Sequence, residues 1–356
     1  MLLKHSARVA GVGLVGATLV LTGCARGAET TTTAGAAAPS ASQSVQATSG
    51  ENCTPEKYAG GVPKVDLKTA KIGFSQSEKE ANPFRTAETQ SIKDEAQKRG
   101  LQLITTNAGG DLNKQISDIQ SMISQGAKAI IVAPLKSEGL DPAIEAAKAA
   151  KVPLFTIDRL LTSKTACQDY LGFVGSDFVK QGERAAQAMI KVTGGNAKAI
   201  TLLGLAGVNV TSDRNKGYQD GVKSASGIQI LAEQAGDFDR TKGQTVTEQL
   251  LQAKPDLNAI YAHNDEMALG AVAALKAAGK KPGDVKIITI DGTRGAVQGI
   301  IDGWISGVIE SNPRFGPIAF QSLEDFYSGK GVPATQIIGD KEYTKDNAAA
   351  EVANAY

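Results

Sequence analysis

From Lys71 onward, short apolar runs alternate with amphipathic stretches. Residues 72–74 and 101–105 read as strands, and Ala129-Ile130-Ile131-Val132-Ala133 is a continuous apolar run, typical of a strand buried on both faces of a parallel sheet. Between them, 86–99 and 112–125 read as helices, ended by Gly100 and Gly126; the second carries Ile116, Ile119 and Ile123 on one face. The pattern continues with a helix at 142–151 and strands at 153–157 and 170–174. A second cycle follows: helix 181–193, strand 199–205, helix 214–224, strand 228–233, helix 243–252, strand 259–262, helix 266–278, strand 285–290 and helix 296–302. Such alternation predicts parallel sheets with helices on both faces, and the number of units calls for two sheets. The expected fold class is α/β, with two doubly wound lobes, which suits a chain of 356 residues.

The first segment departs from this rhythm. Lys4 and Arg8 precede an apolar run, 9–21, that is too short to span a bilayer as a permanent helix. A charged start, a short apolar stretch and small residues before a cut site describe a secretory signal, here residues 1–23. Because Leu21-Thr22-Gly23 leads directly into Cys24, the site looks like a bacterial lipobox, with Cys24 the candidate for lipidation and membrane anchoring. Residues 25–50 are mostly alanine, threonine, serine and glycine, too poor in large apolar side chains to offset the entropy of ordering them. With Cys24 they form the expected flexible tether, 24–50, followed by an N-terminal arm at 51–69. Cys53 and Cys167 then remain, an even number in an exported, oxidising setting. They are expected to form a disulfide that pins the arm to the globule; two separate buried thiols are the alternative.

Composition narrows the function classes. Lysine and arginine number 38 against 37 acids, and removal of residues 1–23 shifts the net charge from +1 to −1. Without a basic block, electrostatic capture of nucleic acid is not expected. Two histidines, His5 and His263, provide neither a metal cluster nor a His-based triad, so no metal, cofactor or catalytic residue is expected.

In open parallel sheets, ligands bind at the carboxyl ends of the strands. The polar residues there are Phe84-Arg85-Thr86-Ala87-Glu88, Asp158-Arg159, Asp213-Arg214, Asp237-Phe238-Asp239-Arg240, His263-Asn264-Asp265, Asp291-Gly292 and Asn312. Carboxylate and amide acceptors, guanidinium forks and phenyl faces are the complement of a sugar, whose hydroxyls need both donors and acceptors and whose C–H faces want a ring. No nucleophile is accompanied by an activating base. Simpler readings stand beside this one: Asp158-Arg159 as a surface ion pair, Asp213 as a helix N-cap, Asp291-Gly292 as a turn, Phe84 and Phe238 as core side chains, and His263 as a satisfied strand-end residue.

Taken in order, Asp158-Arg159, Gly236-Asp237-Phe238-Asp239-Arg240-Thr241-Lys242-Gly243, Tyr261-Ala262-His263-Asn264-Asp265-Glu266-Met267 and Ile290-Asp291-Gly292 resemble the periplasmic sugar-binding proteins of ABC importers, ribose-binding type, over about residues 70–345. Phe84-Arg85-Thr86-Ala87-Glu88 is similar to the Gly-Trp-Arg-Thr-Ala-Glu loop of the galactofuranose-binding branch, with Pro83-Phe84 in place of Gly-Trp. The resemblance implies the type I periplasmic binding protein fold, with lobe 1 over 70–172 plus 312–338, lobe 2 over 173–311 plus 339–356, and three crossings as a hinge. It implies a monosaccharide, galactofuranose or a related furanose or pentose, held by Phe84, Arg85, Glu88, Asp158, Arg159, Arg214, Phe238, Asn264, Asp291 and Asn312. A monomer delivering that sugar to the transmembrane subunits of an ABC permease is expected. A receptor coupled to a sensor kinase, or a glycosidase using Asp158 and Asp291, are the alternatives; arginine neighbours are expected to lower the pKa of such acids, against the need of a general acid.

The lipobox generates the first prediction. Cys24→Ala should be released from the membrane fraction of the producing cell, whereas a variant that stays membrane-bound through a carbonate wash contradicts lipidation at Cys24.

Overall fold

The structure, a computed structural model, describes residues 44–48 and 51–356. Cys24 and the signal segment lie outside the described residues. In chain order the elements are β1 (Val45–Ala47), β2 (Lys71–Gln76), α1 (Pro83–Arg99), β3 (Gln102–Asn107), α2 (Leu112–Ser124), β4 (Ala127–Val132), α3 (Asp141–Ala149), β5 (Leu154–Ile157) and β6 (Phe173–Gly175). There follow α4 (Phe178–Thr193), β7 (Asn196–Leu203), α5 (Asn209–Val222), β8 (Gly227–Ala235), α6 (Arg240–Ala253), β9 (Ala259–Ala262), α7 (Asp265–Ala277), β10 (Lys286–Asp291), α8 (Arg294–Ile301) and β11 (Gly307–Glu310). The chain closes with α9 (Gly316–Tyr327), β12 (Thr335–Ile338), β13 (Glu342–Tyr343) and α10 (Ala348–Glu351).

Two sheets result, in the orders β1-β12-β6-β5-β4-β2-β3 and β13-β11-β10-β9-β7-β8. All pairings are parallel except β1 with β12 and β11 with β13. The apolar run at β4 explains the layering. Ala129, Ile131 and Ala133 face the core shared with α1 and α9, while Ile130 and Val132 face the core shared with α2 and α3. In the second sheet Ile200, Leu202 and Ile260 face α6, α7 and α8, and Ala199, Ala259 and Tyr261 face α4 and α5. Period-2 alternation along strands that are apolar on both sides thus makes a doubly wound sheet in each lobe.

Three expectations need correction. The strand Phe173–Gly175 belongs to the first sheet, so the first crossing follows Gly175 and not residue 172; Phe173 and Val174 point into the two cores of the first lobe. Val45–Ala47, expected to be flexible tether, pairs antiparallel with β12 while all three residues stay exposed. The backbone edge of β12 supplies that pairing, not burial. Helix α5 begins at Asn209, five residues before Arg214, so Asp213 is no N-cap and instead accepts from Asn209 Nδ2 at 3.1 Å.

Cys53 and Cys167 are joined by a disulfide across 114 residues of sequence, with Cα atoms 5.4 Å apart. It ties the N-terminal arm to the loop between β5 and β6, where Tyr58 and Leu67 of the arm are already in the core. Closing so long a loop restricts the unfolded chain, and its loss typically costs about 2–5 kcal/mol. Cys53→Ala with Cys167→Ala should therefore unfold at clearly lower guanidinium concentration than wild type. Coincident unfolding curves, or two alkylated thiols in the native protein, would contradict the bond.

Candidate functional site

The carboxyl ends of both sheets face one cleft. Its wall is formed by Glu78, Asn82, Phe84, Arg85, Asp158 and Arg159 from the first lobe and by Val210, Arg214, Phe238, Asn264 and Asp291 from the second. They line a small cleft of about 30 Å³. Charged side chains fill the rest of the space by pairing with one another.

Arg85, in the first turn of α1, lies against three carboxylates: Asp158 at 2.7 Å, Glu88 at 2.9 Å and Glu78 at 3.0 Å. Its guanidinium also stands 5.1 Å from the centre of the Phe84 ring. Arg159, 2% exposed, donates to the carbonyls of Pro134 and Leu135 at 3.2 and 2.9 Å and to Glu78. Arg214 is set by a close helix contact. A Cβ on Gly182 of α4 would fall 2.2 Å from Arg214 O, so glycine there lets α4 and α5 touch. Arg214 Nε then donates to Gln181 at 2.9 Å and Nη1 to His263 O at 2.6 Å, while Nη2 lies 3.6 Å from Asp291.

Three site residues have left-handed backbone: Asp158 at φ 62°, Phe238 at φ 62° and Asp291 at φ 139°. Non-glycine residues adopt it at a cost of order 1–3 kcal/mol, and it clusters at functional sites. Here it turns the side chains off their strand ends into the cleft. Gly204 complements this, because a Cβ there would sit 2.0 Å from the Phe238 ring. Asp265 braces the Asp291-Gly292 turn by accepting from Gly292 N at 2.9 Å and Thr293 N at 2.7 Å. Asn264 caps α7 through Met267 N at 3.0 Å and donates to Phe238 O at 3.3 Å. His263, expected as a satisfied strand-end residue, is satisfied on one side only: Nδ1 accepts from Gly204 N at 3.3 Å, and buried Nε2 has no hydrogen-bond partner.

Eight of the ten expected binding residues therefore meet on one wall: Phe84, Arg85, Asp158, Arg159, Arg214, Phe238, Asn264 and Asp291. Two do not. Glu88 is fully buried behind Arg85 and accepts from Gln76 Nε2 at 2.9 Å, so it holds Arg85 and does not reach the cleft. Asn312 folds onto its own turn, accepting from Arg314 N at 3.0 Å. Sequence reading missed Glu78, Asn82 and Val210 as wall residues. Glu78 stands two residues past β2, where the rule that ligands gather at strand carboxyl ends would have found it. Among the described residues, no group of three or more His, Cys, Asp or Glu is arranged to hold a metal ion.

The acids do not all follow the expected direction. For Glu78, burial pushes upward, but Arg159 and Arg85 outweigh it and hold the carboxyl down to about 2. For Asp291, burial wins over Arg214 and raises it well above its ordinary value. Burial likewise pushes Glu88 up to about 7, against Arg85 and with the help of the Asp158 charge. Arg85 and Arg159 together face three carboxylates, Glu78, Glu88 and Asp158, and the deepest of them, Glu88, keeps the upward shift.

Residues 72–330 match the family of the periplasmic binding protein domain. The chain is 38% identical over 255 residues to the ribose import binding protein of Bacillus subtilis (strain 168), covering 71% of this chain and 81% of that protein. It is 34% identical over 267 residues to the galactofuranose-binding protein of Escherichia coli (strain K12), covering 74% and 83% respectively. Among solved structures, the periplasmic binding protein component of the arabinose ABC transporter from Shewanella sp. ANA-3, bound to alpha and beta-L-arabinofuranose, superposes with a TM-score of 0.76 at 34% identity, over 80% of this chain and 95% of that one.

The Glu88 shift has a stability consequence. A carboxyl raised to about 7 holds a proton in the native state that the unfolded chain releases near the ordinary value of 4.5. Stability from this group therefore falls as pH rises between those values. Glu88→Gln mimics the protonated form, so wild type should lose up to about 3 kcal/mol relative to the variant between pH 4.5 and 7, at 1.36 kcal/mol per unit. Urea unfolding at the two pH values measures this, and parallel curves for the two proteins contradict it.

Proposed function

The chain belongs to the periplasmic binding protein family, and from that premise we propose that it is an extracytoplasmic solute-binding lipoprotein of an ABC sugar importer. It takes one monosaccharide, galactofuranose or a related furanose or pentose, between its lobes and presents it to the transmembrane subunits of the permease. Cys24 carries the lipid that keeps it on the outer face of the cytoplasmic membrane, and the protein works as a monomer.

The observation that carries this reading is the composition of one cleft wall. Arg85, Arg159 and Arg214 bring donors, Asp158, Asp291 and Asn264 bring acceptors, and Phe84 and Phe238 bring ring faces, with both lobes contributing. Arginine forks and carboxylates match vicinal hydroxyls, and a phenyl ring matches a C–H face. The relatives named for ribose, galactofuranose and arabinose transport support the sugar class, and the bound arabinofuranose of one of them supports the five-membered ring. Closure swings the lobes about the crossings at 176–177, 311–315 and 339–341, and the closed pair of lobes is what the permease reads.

Removing one charged partner from a desolvated site costs roughly 2–5 kcal/mol. Asp291→Ala and Arg159→Ala should each weaken binding of L-arabinose or galactofuranose by about 30-fold or more, since 1.4 kcal/mol is a factor of ten. Arg85→Ala should reduce affinity for a furanose far more than for ribopyranose. The sugar recovered after long incubation should be chemically unchanged. Undiminished calorimetric affinity in both Asp291→Ala and Arg159→Ala contradicts this site, and product formed at a catalytic rate favours a glycosidase.

A further inference from the structure

Two guanidinium groups of the cleft are bridged by a carboxylate of the chain itself. Arg159 Nη2 donates to both oxygens of Glu78, at 3.0 and 3.1 Å, and Arg85 Nε donates to Glu78 Oε2 at 3.0 Å. The backbone beneath is fixed as well, since Asn107 Nδ2 donates to Glu78 O at 2.8 Å. The two arginine side chains are 5% and 2% exposed and the Glu78 side chain 24%, so the carboxylate lies over the cations on the cleft wall.

Guanidinium forks match carboxylates in shape and charge better than they match hydroxyls. Stripped of Glu78, Arg159 Nη2 and Arg85 Nε would be left as donors for a carboxylate carried by the ligand, while Arg85 Nη1 keeps Asp158 and Glu88. We propose that Glu78 is a specificity-determining residue: it fills these forks with the protein's own carboxylate, repels a second one, and so reserves the cleft for uncharged sugars. This rests on the reading of the cleft as a monosaccharide site. A sugar acid entering it meets Glu78 at close range with Asp158 behind, whereas a neutral sugar finds in Glu78 another acceptor for its hydroxyls. Held down to about 2 by Arg159 and Arg85 against burial, Glu78 keeps its charge at any ordinary pH. Selectivity then comes from an element set against the wrong ligand, beside the contacts made to the right one.

Two measurements test this. In calorimetry with L-arabinose and D-galactose as neutral probes and D-galacturonate as the acid, Glu78→Gln should raise the ratio of acid to neutral affinity at least ten-fold over wild type. A ratio that is unchanged or lower overturns the proposal. The second arm needs no sugar. Glu78→Ala removes the carboxylate that bridges the two forks, freeing Arg159 Nη2 and Arg85 Nε while Arg85 keeps Asp158 and Glu88, so acetate, set against chloride at equal ionic strength, should raise its melting temperature more than that of wild type. A variant that folds only in acetate supports the proposal equally, and an equal rise in both proteins overturns it. Should wild type bind neither neutral probe, the sugar reading of the cleft falls, while the acetate arm still decides whether Glu78 is the carboxylate these forks hold.

Discussion

Three guanidinium groups buried between two sheets set the terms for the rest of this molecule. A cation taken out of water has to be paired and hydrogen-bonded or it destabilises the fold by several kcal/mol. Arg85 answers with three carboxylates, Arg159 with Glu78 and two backbone carbonyls, and Arg214 with Gln181, His263 O and Asp291. Much of the surrounding backbone serves these pairings, from the left-handed turns at Asp158 and Asp291 to the glycine that lets α4 meet α5. The same polar density that is costly to bury makes the cleft suitable for a polyhydroxylated ligand.

The hinge is wired to this cleft. Asp340, on the third crossing, accepts from Ser176 Oγ at 3.1 Å on the first crossing and from Gln181 Nε2 at 2.8 Å. Gln181 in turn accepts from Arg214 Nε, and Arg214 reaches Asp291. A rotation that shifts the third crossing against the first therefore disturbs the support of a cleft arginine. One chain of side chains thus runs from the first and third crossings to the cleft.

The order of strands and helices was legible because each apolar run, as at β4 and β9, is buried on both faces and so announces itself without reference to partners. Most of the cleft was legible too, since a carboxylate or arginine just past such a run has few structural reasons to be there. What escaped depends on distant chain. β1 exists because β12 offers an edge, and its own residues are exposed. The start of α5 is set by Ser137 of the other lobe, whose Oγ accepts from Asn209 N at 2.9 Å. Glu88 and Asn312 occupy positions adjacent to wall residues in sequence, yet one points beneath Arg85 and the other onto its own turn, a distinction of side-chain direction that spacing does not carry. The upward shifts at Asp291 and Glu88 belong to the same class, because burial in the folded chain decides them and neighbouring arginines in sequence do not.

The most direct measurement is a crystal structure of the protein grown with L-arabinose. The sugar should lie between the lobes in its furanose form, with ring hydroxyls within hydrogen-bond reach of Arg159 and Asp291 and a C–H face against Phe84 or Phe238. A well-defined sugar bound elsewhere, with the cleft arginines still paired only to Glu78 and Asp158, would contradict the account.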